Sequence, residues 1–111
     1  MMMTSYIALD LETTGLESKT EKITEAAALK VIDGTVRERF VTLINPGRPI
    51  SEKITQLTGI TDEMVRTAPL MENVIGELLA FCEGLPLLGH NILFDYRFLK
   101  QAAVNSRLEC E

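Results

Sequence analysis

Apolar residues occur in short blocks separated by turn-forming residues, and the blocks alternate between two periodicities. Tyr6 to Leu11 is apolar and β-prone, and Thr13-Thr14-Gly15 stops it, which predicts a strand. Glu21 to Ile32 carries both signals. Glu25 to Lys30 has strong helix propensity, yet Ile23, Glu25, Ala27, Leu29 and Val31 would share one face of a strand. Asp33-Gly34 follows directly and marks a tight hairpin. A hairpin needs strands on both sides, so residues 22–32 are expected to be a strand against their propensity. Thr35 to Ile44, rich in Val, Thr and Phe, completes the pair.

The second half of the chain shows helical signals. Ser51 can cap a short helix ending near Thr58, with Gly59 just beyond it. Thr61 can cap another brief turn, with Asp62 and Glu63 at its positive end. Pro69 suits the start of a longer helix with a stripe of Leu70, Val74, Leu78 and Phe81, ended by Gly84. Leu85 to Leu88 reads as a short strand, and Asn91 can cap a last helix running to about Val104. Three strands, helices, a strand and a helix imply a single-domain α/β fold around a mixed sheet.

Composition narrows the function classes. The chain has 111 residues, enough for one core and too few for two. Its formal net charge is −5, which argues against a surface that coats nucleic acid by neutralising phosphates. It leaves room for a nuclease whose acids hold cations facing the phosphate. No apolar run approaches a membrane span, so no membrane partner is expected. Cys82 and Cys110 are too few for a disulfide framework and read as reduced thiols of a cytoplasmic protein.

The candidate chemistry lies at the end of the first strand. Asp10 and Glu12 are two residues apart and share a strand face, with Leu9 and Leu11 on the other. Two carboxylates placed together repel, and a hard divalent cation would relieve the repulsion. Asp95 falls in the first turn of the last helix, where the macrodipole alone could account for it. If Leu85 to Leu88 lies beside the first strand, that helix start reaches the Asp10/Glu12 face.

Asp10-Leu11-Glu12-Thr13-Thr14-Gly15 resembles the first motif of the DEDD exonuclease superfamily, and Gly89-His90-Asn91-Ile92-Leu93-Phe94-Asp95 resembles its second. The segment Ile54 to Thr61 is similar to the stretch that connects them. The likeness covers roughly residues 5–105, and is strong to the proofreading exonucleases of bacterial DNA polymerase III. It implies a ribonuclease-H-like sheet, three antiparallel strands followed by parallel ones, with helices on both faces. It makes Asp10, Glu12 and Asp95 the catalytic metal ligands, for Mg²⁺ or Mn²⁺, two ions per complete site. It places Thr13, Thr14 and Gly15 along the 3′-terminal nucleotide, with Leu57, Ile60, Asn91 and Phe94 flanking its base and sugar. Core packing is the preferred reading for Leu57 and Ile60, and an equal alternative for Phe94. The implied reaction is two-metal hydrolysis of a phosphodiester at a single-stranded 3′ end, of DNA in preference to RNA though the motif residues suit both, with a polymerase subunit as a candidate partner.

The resemblance is incomplete. The family's third motif supplies a fourth acid, with a histidine or tyrosine nearby, and no H-x-A-x-x-D stretch occurs in these residues. His90, the single histidine, matches the second motif, where a hydrogen-bonded role in shaping the turn is expected. Tyr96 does not occupy the position of the tyrosine branch's phenol. The chain therefore reads as the N-terminal two thirds of the domain, with little or no activity alone; a non-catalytic metal- or nucleotide-binding remnant and a polymerase-interaction module are the alternatives. Leu85 to Leu88 would then be an uncovered sheet edge, open to self-association.

Overall fold

The computed structural model describes residues 4–106. Three long strands come first: β1 (Tyr6–Thr13), β2 (Ile23–Ile32) and β3 (Thr35–Leu43). They are followed by α1 (Glu52–Thr58), α2 (Asp62–Val65), a 3₁₀ turn (Met71–Asn73) and α3 (Ile75–Cys82). A two-residue strand β4 (Leu87–Leu88) and α4 (Ile92–Asn105) complete the order. The sheet runs β3-β2-β1-β4, antiparallel across the first two junctions and parallel between β1 and β4. This is the mixed sheet expected from the sequence.

The hairpin decides the ambiguous segment. Asp33 and Gly34 both have positive φ, 49° and 79°, as a type I′ turn requires, and β2 pairs along its length with β1 and β3. Tertiary pairing thus overrides the helix propensity of Glu25 to Lys30. The buried face of β2 differs from the expected one. Ala26, Ala28 and Lys30 face the core, whereas Glu25, Ala27 and Leu29 are half-buried. Glu12 pairs with Glu25 but Thr13 pairs with Ile23, so Thr24 is an extra residue in a bulge and Ile23 returns to the core side. Small alanines at 26 and 28 stand opposite the large Leu11 and Leu9.

The helical caps follow their sequence signals. Ser51 Oγ accepts from the Ile54 N–H, Gly59 closes α1 with φ 78°, and Thr61 Oγ1 accepts from the Met64 N–H. The longer helix does not start at Pro69. The Pro69 carbonyl accepts from the Asn45 N–H at 2.9 Å, and Leu70 bridges to Asn45 as a short parallel ladder. That pairing holds residues 69–70 extended, so α3 begins only at Ile75. Leu70, expected on its stripe, is 42% exposed, while Val74, Ile75, Leu78 and Cys82 are buried.

One core lies between the sheet and the pair α3 and α4, built from Ile7, Leu9, Leu11, Leu78, Phe98 and Leu99 among others. A smaller cluster of Ile50, Ile60 and Val65 sits under the loops after β3. Lys30 is buried on the core side. Its ammonium pairs with Glu38 and Glu83, both at 3.1 Å, and lies 4.7 Å from the centre of the Phe81 ring, tying β2 and β3 to the end of α3.

β4 positions the second motif. It pairs with β1 through Leu87 opposite Ile7 and Leu88 opposite Ala8, and Pro86, which has no N–H, contributes its carbonyl to the Ile7 N–H. The next residue, Gly89, passes so close to β1 that a Cβ there would lie 2.7 Å from the Leu9 carbonyl oxygen and 3.6 Å from an Asp95 carboxylate oxygen. Backbone cannot yield as a side chain can. Gly89→Ala is expected to cost about 1–3 kcal/mol of stability by overpacking, read as a lower urea midpoint.

Candidate active site

The three acids named from the sequence lie at one end of β1, near enough for their charges to act on one another. Leu9 and Leu11 are buried in the core while Asp10 is exposed and Glu12 half-exposed on the opposite face. Asp95 arrives from α4. It heads the buried stripe Asp95, Phe98, Leu99, Ala102 and Ala103, so the helix face that packs on the sheet carries a carboxyl group at its start. Asp95 is only 5% exposed.

The electrostatics record the proximity. Burial pushes the Asp95 carboxyl up to about 6 from its ordinary 3.8, the charges of Asp10 and Glu12 push the same way, and a backbone hydrogen bond from Leu11 opposes them. Glu12 is likewise raised, by burial first and then by Asp10 and Glu25. Glu25 is a participant the sequence reading missed. It stands directly across the ladder from Glu12, where like charges repel. Its place is set by the β1–β2 register, which runs unbroken from Tyr6 opposite Val31 to Glu12 opposite Glu25.

The remaining predicted residues divide into two groups. Thr13, Gly15, Leu57 and Phe94 line one open cleft of about 350 Å³ beside Glu12, together with Leu16 and Ile54. Leu57 is 79% exposed, which overturns the preferred reading of core packing, and Leu16 beside it is 86% exposed. Phe94 is half-buried, tilted against Phe98 with ring centres 5.0 Å apart, and so serves both packing and the cleft. Thr14, Ile60 and Asn91 do not line this cleft. Thr14 is buried behind it, Ile60 belongs to the small second core, and Asn91 is exposed on the turn before α4. Asn91 does not cap α4 with its side chain; its carbonyl accepts from the Asp95 N–H at 3.2 Å.

His90 departs from its expected role. It is exposed and makes no hydrogen bond with a described residue, and the close passage of Gly89 against β1 shapes the turn instead. Gly89 was legible only as part of a motif, because its purpose depends on a strand some eighty residues earlier. A separate cavity of about 260 Å³ lies between the start of β2, the 3₁₀ turn and the far end of α4, and contains none of the predicted residues.

The raised Asp95 gives a pH dependence of definite sign. Between about pH 4 and 6 the folded protein keeps a proton that the unfolded chain has released, so in divalent-free buffer stability falls as pH rises through that window. Asp95→Asn should flatten the slope and be roughly 1–3 kcal/mol more stable than wild type at neutral pH, measured by urea unfolding across the window.

The comparisons agree with this geometry. Residues 7–111 match the RNase_T family model, described as exonuclease. The chain is 42% identical over 96 residues to a PolC-type DNA polymerase III of Thermotoga petrophila, covering 86% of this chain and 7% of that protein. It is 41% identical over 106 residues to the PolC-type DNA polymerase III of Caldanaerobacter subterraneus, covering 96% and 8%. The chain thus spans less than a tenth of the length of these relatives. Among solved structures, exonuclease I shares the fold, with a TM-score of 0.83 at 17% identity, covering 97% of this chain and 26% of that one. Exonuclease X in complex with 5′ overhanging duplex DNA has a TM-score of 0.70 at 34% identity, covering 83% and 52%. With 105 of its residues inside the family model and its acids on the end of a ribonuclease-H-like sheet, the chain belongs to the RNase_T exonuclease family.

Proposed function

We propose that this chain is the motif-bearing part of a 3′→5′ exonuclease domain that removes nucleotides from single-stranded 3′ ends, DNA in preference to RNA, in the service of replication proofreading. The observation that carries the reading is the placement of Asp10, Glu12 and Asp95, from motifs far apart in sequence, where the end of β1 meets the head of α4, beside an apolar cleft. The duplex DNA bound by exonuclease X supports DNA as the class of substrate, and the polymerases among the relatives support a polymerase partner.

Divalent metal ions are the cofactors general to this family. The donor set here fits Mg²⁺ or Mn²⁺: the acids are hard oxygen ligands, and Asp95 and Glu12 are raised first by burial and then by the neighbouring carboxylates. Among the described residues no three His, Cys, Asp or Glu form a group that could hold a metal ion. That is compatible with Mg²⁺, which keeps several waters and takes one or two carboxylates at a time. Asp10, Glu12 and Asp95 would hold the ions, which when bound supply Lewis-acid stabilisation and an activated water. Thr13, Gly15, Leu57 and Phe94 would receive the terminal nucleotide, Asn91 would approach it from the α4 turn, and Thr14 and Ile60 would support the cleft walls. The location in keeping with this work is cytoplasmic, with Cys82 buried in the core; Cys110 lies outside the described residues.

One observation favours self-association. Among the described residues β4 pairs on one side only, and Leu88 in it and Leu93 just after it are each about half-exposed, at 46% and 57%. Sedimentation is expected to show a concentration-dependent dimer or larger species; a stable monomer over a wide range would remove this part of the proposal.

The activity is tested with 5′-labelled single-stranded DNA and Mn²⁺, wild type beside Asp10→Ala. A ladder that shortens slowly from the 3′ end in wild type and is absent in the variant is expected. Equal traces from the two would leave the chain a non-catalytic member of its family.

A further inference from the structure

The turn that follows the metal-binding strand is held from behind by a residue outside both motifs. Thr14 Oγ1 donates to Glu21 Oε1 at 2.8 Å, and the same carboxylate oxygen accepts from Arg48 Nη1 at 3.2 Å. Thr14 Oγ1 in turn accepts from the Lys22 N–H at 2.9 Å, and the Thr14 N–H donates to the Lys22 carbonyl at 2.8 Å. Residues 15–22 are thereby closed onto Thr14 as a small loop, with Glu21 folded inward.

Gly15 explains why Glu21 can reach so far. Gly15 is not among the residues with positive φ, so conformational freedom is not what calls for glycine there. A Cβ at position 15 would lie 2.8 Å from both Cγ and Cδ of Glu21. The missing side chain is the space that the glutamate stem occupies. Arg48 fixes the outer end, and its own loop is anchored by the Asn45 N–H to the Pro69 carbonyl. Thr13, Gly15 and Leu16 line the cleft, while Thr14 and Glu21 lie behind it.

An ion pair with side chains 31% and 40% exposed adds little to global stability. Its value is local, in holding a turn at one distance from the cleft. We propose that Glu21 is a positioning residue for recognition of the terminal nucleotide: backed by Arg48, it sets the Thr13–Gly15 turn at the height at which it meets the sugar and base. The proposal rests on the exonuclease reading, because it assigns that turn to the substrate.

The test separates substrate binding from metal binding and from folding. Affinity for a short 5′-labelled oligothymidylate with a free 3′ hydroxyl is measured by fluorescence anisotropy in Mn²⁺. Mn²⁺ binding is measured alone by electron paramagnetic resonance, and folding by thermal melting. Glu21→Ala is expected to weaken oligonucleotide binding about tenfold, with Mn²⁺ affinity and melting temperature near wild type. Glu21→Gln, which keeps an acceptor for Thr14, should recover part of the loss, and Arg48→Ala should reproduce part of it. Gly15→Ala should cost much less in the Glu21→Ala background than in wild type, because the clash is gone. Wild-type affinity in Glu21→Ala would overturn the proposal and leave the exonuclease reading standing. Parallel loss of Mn²⁺ binding or of the fold would show Glu21 to be structural only and would also overturn it. A wild-type chain that binds neither Mn²⁺ nor the oligonucleotide would overturn both.

Discussion

A carboxyl group buried where it would rather be solvated organises this molecule. Asp95 begins the helix face that packs on the sheet, and it is pressed against β1 next to two further acids. Keeping it there requires β4 to pair with β1 in a fixed register, Gly89 to pass β1 with no side chain, and Phe98 and Leu99 to dock the helix behind it. The apolar contacts of α4 supply the stabilisation that offsets the desolvation of Asp95. In that sense the core serves the site: it holds together charges that water would separate.

The apolar side of the cleft shows the complementary arrangement. Leu57 and Leu16 are left exposed on the rim. Their backbone supports are firm by contrast. α1 is capped at both ends, by Ser51 and Gly59, and the turn before Leu16 is tied through Thr13, Thr14 and Glu21. Apolar side chains on capped and hydrogen-bonded backbone thus stand beside the acids at the end of β1.

The departures from the sequence reading share a cause. The helix expected from Pro69 is delayed because residues 69–70 pair with Asn45, a contact between segments more than twenty residues apart. The alanine face of β2 is buried because Ala26 and Ala28 pair with the core residues Leu11 and Leu9, and the extra residue at Thr24 returns Ile23 to that side. Leu57 is exposed and Ile60 buried, three residues apart, because the left-handed Gly59 turns the chain between them. His90 looked like the residue that shapes its turn, and its neighbour Gly89 does so by steric contact with β1.

What the sequence by itself determined is therefore local chemistry. It established the strand that carries Asp10 and Glu12, the Asp33-Gly34 hairpin, the caps at Ser51, Gly59 and Thr61, the acid at the head of α4, and the motifs of the family. Each of these depends on residues within about one turn or strand of one another. Tertiary structure alone decided which acids share a site, that Glu25 faces Glu12, that Glu21 supports the turn after β1, and that Leu57 stands in the cleft rather than the core. Those facts depend on register and on close approach between distant segments. Neither quantity is written in the spacing of residues along one chain; both arise when the sheet pairs and α4 packs against it.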